Sequence, residues 1–266
     1  MPLPFDLPEN PADFIEGRAK SLVFRVQDFY GLSLKAVSGI FKRPRYIGEI
    51  LFQMDGIGVG SIPIILLTGL FTGMVLSLQS AIQLSIFGAT IYIGKLVALS
   101  MVRELGPVLS SLMVAGRVGS GIAAEIGSMV DTEQIDAMRV EGSDPVKKLV
   151  VPRLVACMLM LPLLTIISDS IGMAGGFFIA VSQFNIDPMF YWRSSFDILS
   201  LHDITLGLVK PIFFGFIIAM TGSYQGLRTH GGTMGVGRST TRSVVYSSIS
   251  ILVVDFFLTK VFVYLF

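Results

Sequence analysis

Long apolar runs separated by short polar islands are the dominant pattern along this chain. Five runs are long enough to cross a hydrocarbon core of about 30 Å at about 1.5 Å per helical residue. The pattern predicts five transmembrane helices, Ser61–Phe87, Ile91–Met129, Val150–Phe184, Ile204–Tyr224 and Val244–Phe266. The second and third exceed the required length, so we expect them to tilt, bend or project, with Pro107, Pro152 and Pro162 as available kink points.

The first fifty residues follow a different pattern. Over residues 12–41, apolar side chains recur at steps of three and four, while basic side chains such as Arg18 and Arg25 fall outside that stripe. This periodicity is typical of a helix that lies in the membrane interface, although a soluble amphipathic helix shares it. We expect residues 1–50 to form an interfacial or cytoplasmic segment and residues 51–266 to form the transmembrane domain.

Composition agrees with an all-α polytopic membrane protein. Hydrophobic residues make up 52% of the chain and charged residues 15%, with a mean hydropathy of +0.73, whereas soluble domains carry about a quarter charged residues. The net charge of +1 argues against a nucleic-acid partner. A single cysteine, Cys157, excludes an internal disulfide framework, and two histidines leave little for a metal site, so we expect none.

Basic residues outside the spans predict the orientation, because cytoplasmic loops are enriched in Lys and Arg. Three basic residues lie in the 130–149 loop and three in the 225–243 loop, whereas the turn at 88–90 has none and the 185–203 loop has only Arg193. Seven more precede the first span: Arg18, Lys20, Arg25, Lys35, Lys42, Arg43 and Arg45. With five spans, this asymmetry predicts a cytoplasmic N-terminus and an outer C-terminus.

Several charged residues fall inside the predicted spans. Arg103 and Glu104 lie roughly 18 Å along the second span, which is near mid-membrane. Charges there cost several kcal/mol unless they are paired or face a wet cavity, so a functional site and a structural salt bridge are the two interpretations. Lys210 either lines the same cavity or snorkels to the interface, and Asp255 lies midway along the last span. The sequence indicates no partner for Asp169.

Small residues recur at steps of four in the second span, at Ala115, Gly119, Ala123 and Gly127. This spacing permits close approach between helix backbones. It therefore predicts a packing face rather than a chemical site.

The segment GTMGVGRS, Gly232 to Ser239, nearly matches a P-loop, with Arg238 at the lysine position. A P-loop requires an α/β domain, for which the chain has no room. We expect a flexible loop in which Ser239 or Thr240 caps the last helix, and no ATP hydrolysis by this route. No Ser-His-Asp set or paired catalytic carboxylates occur either, so an intramembrane enzyme is poorly supported.

The island DTEQIDAMRVEGSDP, Asp131 to Pro145, separates the second and third spans. Asp131 as N-cap with Gln134 as its capping-box partner predicts a short helix that runs to Val140 and stops at Gly142. Two interpretations remain open for it, a solvated connecting helix and a plug that presents apolar and acidic side chains to a groove on a partner protein. The residues concerned are Glu133, Gln134, Ile135, Asp136, Met138 and Arg139.

Three segments carry a resemblance to a known family. They are LVALSMVRELGPVLSSLMVAGRVGSGIAAEIGSM, then EQIDAM, and later GRSTTRSVVYSSISILVVDFFLT. Together they resemble the MlaE (YrbE) permease family of ABC transporters, and the resemblance runs from about Leu51 to the C-terminus.

The resemblance implies a function and a set of partners. Such permeases are homodimers of the Gram-negative inner membrane that exchange phospholipids with the periplasm. Their partners are a cytoplasmic ATPase (MlaF-like) that binds ATP and Mg²⁺, a STAS-domain protein (MlaB-like) and a periplasmic hexamer of MCE-domain subunits (MlaD-like). No cofactor is implied in this chain itself.

The resemblance also implies roles for particular residues. EQIDA, Glu133 to Ala137, matches the acidic coupling helix that docks on the ATPase, with Gln134 neutral where relatives carry a second acid. The positions of Arg103, Glu104, Lys210 and Asp255 match the lipid cavity and the last span. We expect Arg103 and Lys210 to contact lipid phosphate, and Glu104 to hold Arg103.

Three alternatives to this function stay open. An ATP-independent secondary transporter also uses intramembrane charges, and a permease of this type can serve another lipid, such as a sterol. A purely structural anchor for an MCE complex predicts that Arg103→Ala leaves lipid transport intact.

Overall fold

The computed structural model describes residues 11–42 and 46–265, and all regular structure in these ranges is helical. The helices are α1 (Pro11–Phe41), α2 (Ile47–Ser85), α3 (Thr90–Asp131), α4 (Gln134–Val140), α5 (Val146–Phe184), α6 (Pro188–Ile198), α7 (Leu201–Leu227) and α8 (Gly232–Leu265). Five of them, α2, α3, α5, α7 and α8, are long and apolar enough to cross a membrane, which confirms the predicted number of spans.

The first span begins earlier than predicted, at Ile47 rather than Ser61. The glycines at positions 56, 58 and 60 interrupt the apolar run but not the helix, because a 3-10 turn over Val59–Ser61 joins the two parts of α2. Hydrogen bonding thus continues where the hydropathy pattern predicts a boundary.

The last span also begins earlier than predicted, and the loop expected over residues 232–239 is wrong. Gly231 and Gly232 have φ values of 95° and 66°, which reverse the chain shortly after α7 and start α8 at Gly232. Ser239 lies inside this helix, buried, where its Oγ accepts a hydrogen bond of 2.8 Å from Thr229 Oγ1. It therefore ties α8 to the end of α7 and caps nothing.

Helix α5 is the centre of the molecule, with α2 and α7 packed against it. Its closest approach to α2 is at Gly73, where a β-carbon would overlap the carbonyl of Gly172. Leu154, Leu161 and Phe214 are among the fully buried side chains of the main core. Lipid tails are as apolar as these side chains, so the hydrophobic effect does not hold the three helices together within a membrane. Close backbone contact and side-chain packing hold them together instead.

The small-residue face of α3 packs as predicted. Gly119 and Ala123 of α3 are buried. A β-carbon added at Gly222 of α7 would lie 3.0 Å from the Gly119 carbonyl oxygen, and one at Gly226 would lie 3.1 Å from that of Ala123. Gly127 lies against Thr229. The spacing at steps of four is therefore a helix-packing device that aligns α3 with α7 in parallel.

Three π-helical turns interrupt the spans, at Met101–Leu105 and Ala115–Gly119 in α3 and at Val146–Val150 at the start of α5. Pro107 and Pro152 follow two of them by two residues. A proline removes one amide donor and repels the carbonyl four residues before it, which favours the wider turn. Pro162 lies within α5, where the helix remains α-helical.

The short helices α6 and α4 lie at opposite ends of the bundle, which we call the α6 end and the α4 end. At the α6 end, Gly94 near the start of α3 packs against Ser195 of α6. At the α4 end, α1 is attached to α7 by the Arg228–Asp28 ion pair at 3.1 Å and by the edge-to-face contact of Phe29 with Tyr224. Several apolar side chains of α1 stay exposed, and its interfacial location stays a prediction.

Candidate functional site: a charged pocket and the helix at the opposite end

The charged residues predicted within the spans meet at one cavity of about 360 Å³ between α3, α7 and α8. We call this cavity the charged pocket. Its lining consists of Arg103, Glu104, His202, Leu206, Lys210, Thr259 and Phe262. Asp255 lies beside it, in contact with Lys210.

The pocket lies closer to the α6 end than the mid-membrane position predicted for it. Val102 packs against Gly207, the seventh residue of α7. Arg103 is therefore about 10 Å from the level at which α7 begins. The predicted depth of Arg103 was wrong because α3 extends beyond α7 at this end, which the apolar pattern does not show.

Pro107 leaves one backbone carbonyl beside the pocket without its helical hydrogen-bond donor. Because proline has no amide hydrogen, the carbonyl of Arg103, four residues earlier, lacks its usual helical donor. Lys210 Nζ donates to that carbonyl at 3.0 Å. The π-turn Met101–Leu105 thus exposes a backbone acceptor that the lysine of another helix satisfies.

Lys210 is fully enclosed, with 1% of its side chain exposed. Its ammonium donates to Glu104 Oε2 at 2.7 Å and lies 3.0 Å from Asp255 Oδ1. Thr259 Oγ1 donates to the other oxygen of Glu104 at 3.1 Å. Of the two alternatives for Lys210, the structure therefore selects the polar cavity and excludes snorkelling.

Arg103 pairs with an aspartate that the sequence analysis did not identify. Its Nε lies 2.5 Å from Asp203 Oδ1, and 49% of its side chain is exposed. Asp203 is itself oriented by a capping box with Ser200, whose N and Oγ both donate to Oδ2. The expectation that Glu104 holds Arg103 is wrong, because Glu104 is engaged by Lys210. The sequence signal for Asp203 was the Ser-x-x-Asp spacing before an apolar run.

The pocket therefore presents charges of both signs on an apolar wall. Arg103 and Glu104 are half-exposed, whereas Lys210 is enclosed by its partners. Leu206 and Phe262 supply apolar surface. Such a cavity suits a molecule with a zwitterionic or anionic head and apolar tails. Within the described residues, no group of His, Cys, Asp and Glu is arranged to hold a metal.

Helix α4 occupies the predicted island, but it begins differently. Asp131 is the last residue of α3, so the predicted N-cap is wrong; the residue before α4 is Glu133, with a left-handed φ of 58°. Gln134 Nε2 donates to Thr132 Oγ1 at 3.0 Å instead of closing a capping box. The sharp turn between α3 and α4 leaves no linker in which Asp131 can cap.

The predicted end of α4 is confirmed. Gly142 has a φ of 79°, its amide donates to Arg139 O, and the amide of Ser143 donates to Met138 O. These two bonds form a Schellman motif, for which glycine is the favoured residue. Asp144 then accepts a hydrogen bond from Val146 N and starts α5.

The apolar side of α4 faces its own bundle. Ile135 is buried in the main core and Met138 packs against it, so these residues are not presented to a partner as the plug interpretation expects. Glu133, Gln134, Asp136 and Arg139 are exposed, and Arg139 pairs with Asp136 at 2.7 Å. Val140, which the sequence analysis passed over, is 89% exposed. The outward surface of α4 therefore combines acidic side chains with exposed apolar ones.

A further ion pair joins the two spans that flank α4. Arg153 Nη2 of α5 lies 2.7 Å from Glu125 Oε2 of α3, and Arg153 Nη1 donates to Leu149 O at 2.8 Å. Arg153 is buried. The sequence does not single out Arg153 for an ion pair, because a basic residue just inside a span is also a normal interfacial residue.

Comparison with known proteins places these features in context. The sequence matches the permease MlaE family over residues 50–261. The intermembrane phospholipid transport system permease protein MlaE of Haemophilus influenzae is 39% identical over 253 residues, which cover 94% of this chain and 97% of the relative. A probable ABC transporter permease protein of Rickettsia conorii is 43% identical over 253 residues, covering 95% and 98%. One of Synechocystis is 47% identical over 209 residues, covering 79% and 80%.

Proposed function

Because this chain belongs to the MlaE permease family and is thus a membrane subunit of an ABC transporter, we propose that it moves phospholipids between a Gram-negative inner membrane and a periplasmic MCE protein, contributing to outer-membrane lipid asymmetry. The charged pocket is the observation that carries the proposal. It combines a half-exposed arginine, a half-exposed glutamate and apolar walls in one cavity inside the membrane span.

Each part of a phospholipid has a complementary group in this pocket. Arg103 keeps donors free beyond its bond to Asp203 and binds the phosphate. Glu104 faces the cavity beside it and suits the amine of a zwitterionic head. Lys210 holds Glu104 and the Arg103 carbonyl in place; contrary to the prediction from the sequence, we assign it no contact with the phosphate, because only 1% of its side chain is exposed. Leu206 and Phe262 contact the tails.

Energy for transport enters from partner proteins. A cytoplasmic ATPase (MlaF-like) binds ATP and Mg²⁺ and docks on the acidic outward surface of α4, with a STAS-domain protein (MlaB-like) beside it. A hexamer of MCE-domain subunits (MlaD-like) receives or delivers lipid at the α6 end. Two copies of the chain form the permease, with the N-terminus cytoplasmic and the C-terminus periplasmic.

Reconstitution tests the proposal. Labelled phospholipid should pass between proteoliposomes and the MCE partner only with ATP, and Arg103→Ala should slow the transfer about tenfold, since one charge-assisted hydrogen bond is worth about that factor. Lys260→Ala, an exposed cation of α8 that does not line the pocket, is the matched control. Full-rate transfer by Arg103→Ala would instead favour a structural anchor.

A second candidate is an ATP-independent transporter, favoured by the enclosed Glu104–Lys210–Asp255 group. Buried ion pairs of this kind occur in proton-coupled carriers. Transfer driven by a proton gradient in the absence of ATP and ATPase would support it. Competition by a labelled sterol in the same assay distinguishes a permease for another lipid.

A further inference from the structure

A second intramembrane arginine, Arg117, lies away from the charged pocket. It belongs to the π-turn Ala115–Gly119 of α3. Its Nη1 donates to the carbonyl of Gly56 at 3.2 Å and to Ser61 Oγ at 2.9 Å, both in α2. A β-carbon on Gly60 would overlap Nη2, so the guanidinium rests directly on the α2 backbone.

Arg117 differs from three other cations of the spans in its electrostatic surroundings. Arg103, Arg153 and Lys210 each pair with a carboxylate at 2.7 Å or less. No carboxylate in the described part of the chain pairs with Arg117, and its side chain is exposed. Neutral oxygens hold only one nitrogen of the guanidinium. An anion bound against the guanidinium would supply the counter-charge that these neutral oxygens lack.

The depth of Arg117 indicates which anion is within reach. Gly119 packs on Gly222, five residues before α7 ends, so Arg117 lies about 10 Å from the level of that end. Arg103 is fourteen residues away along α3, or about 21 Å toward the α6 end. The two arginines thus lie near opposite boundaries of a hydrocarbon core about 30 Å thick.

The surface beside the guanidinium is open. Gly116 and Gly121 on the same helix have nothing within 4 Å of the position of a β-carbon. No side chain at these two positions of α3 therefore obstructs a headgroup. An arginine that merely snorkels would extend freely toward water, whereas this one is bound across the backbone of α2.

We propose that Arg117, seated on Gly60 and Ser61, binds the phosphate ester of a phospholipid drawn from the leaflet at the α4 end. This site is distinct from the charged pocket, and it rests on the proposed transport function for the identity of its ligand. It would hold lipid on the α4 side, and the charged pocket would hold it on the α6 side.

Native mass spectrometry of the purified full-length chain tests the site. The chain is incubated with phosphatidylglycerol or with diacylglycerol of the same acyl chains, without ATP or partner proteins. The variants are Arg117→Ala and Gly60→Ala, in which the added methyl pushes the flexible guanidinium aside without touching the core. Gly48→Ala, on the same helix and with open space at the position of its β-carbon, is the matched control.

We expect both variants to retain one phosphatidylglycerol fewer per chain, with about tenfold weaker binding at that site, and to bind diacylglycerol as the unmodified chain does. Unchanged retention in both variants would overturn the proposal. Displacement of the lipid by inorganic phosphate would assign the site to a free anion and overturn the lipid assignment. Dissociation into monomers in Arg117→Ala would place the residue at a subunit contact instead.

The outcome is separable from the test of transport. Retention is measured without ATP, so failure of ATP-driven transfer in the unmodified chain would refute the proposed function and leave this measurement valid. Normal transfer with unchanged retention in the variants would refute the Arg117 site alone.

Discussion

The Lys210 ammonium has three oxygen neighbours on two helices, the Arg103 carbonyl and Glu104 of α3 and Asp255 of α8. Replacing Lys210 by Met leaves two carboxylates and a freed carbonyl without their cation. Removing one partner of a buried pair costs about 3 kcal/mol or more. We therefore expect the free energy of unfolding of Lys210→Met to fall by about 3 kcal/mol, measured by denaturant titration in detergent.

Two further variants make this test specific. Lys260→Met changes an exposed lysine of α8, five residues after Asp255, and should leave the free energy of unfolding within about 0.5 kcal/mol of the unmodified chain. Lys210→Met combined with Asp255→Leu should recover part of the loss, because one uncompensated charge is removed. Equal stability of Lys210→Met and the unmodified chain would show that the ammonium contributes nothing to the fold.

At this scale, the sequence identifies the participants of the charged pocket better than their pairing. Arg103, Glu104, Lys210 and Asp255 stand out because charges are rare within apolar spans. Their pairing depends on how α3 and α7 align and on the carbonyl freed by Pro107, which no spacing in the sequence reveals. Asp203 escaped notice because an acid at a helix start needs no further explanation.

Asp169, for which the sequence indicated no partner, lies at the contact of α3 with α5, and its Oδ1 has no hydrogen-bond partner within the described residues. Asp169 is buried in α5, where a β-carbon on Gly106 would overlap its Oδ1. Gly106→Ala should lower the free energy of unfolding by about 2 kcal/mol through overpacking. The double variant Gly106→Ala with Asp169→Ala should recover most of this loss, whereas Gly116→Ala, in open space, tests the added methyl alone. Additive losses in the double variant would contradict the contact.

The outward surface of α4 can be tested separately from its packing. Glu133 and Asp136 are exposed, so Glu133→Lys with Asp136→Lys should leave thermal unfolding unchanged and abolish co-purification of the ATPase. The control exchanges the exposed pair on α6, Arg193→Asp with Asp197→Arg. Full ATPase stoichiometry with the α4 variant would remove this surface from the docking proposal.

The five spans and α4 were predictable from the sequence, whereas α6 lies in a segment predicted to be a loop, and helix ends were predictable only where glycine chemistry was specific. Gly142 ended α4 as expected, because a left-handed residue after the helix is a local requirement. The starts of α4 and α8 were mispredicted. Glu133 takes a left-handed conformation unusual for its type, and Gly231 and Gly232 compress a turn that the sequence presents as a longer loop.

The orientation of the whole molecule can be tested with introduced cysteines, because the one native cysteine, Cys157, is buried. Val140 is exposed at the α4 end and Met189 is exposed on α6. In intact spheroplasts, a membrane-impermeant maleimide should label Met189→Cys and leave Val140→Cys unlabelled until lysis. The reverse labelling pattern would invert the proposed topology.

Much of the apolar surface of α2 and α8 points outward from the bundle. Phe71 and Val75 of α2 and Phe256 and Phe257 of α8 are exposed in the single chain. Lipid tails and a second copy of the chain are equally apolar, so the sequence cannot separate lipid-facing from subunit-facing positions. The homodimer accordingly stays a prediction at the scale of the whole molecule.

The π-turns of α3 keep the charged pocket in rotational alignment with the face of the helix that packs on α7. A π-turn holds one residue more than an α-helical turn, so each behaves as an insertion that the helix has absorbed. Converting Ala115–Gly119 to regular α-helix at unchanged length would rotate everything before it by about 100° relative to the packing face on α7. Arg103 and Glu104 would then turn away from Asp203 and Lys210. In such a chain, a more regular helix would be a less functional one.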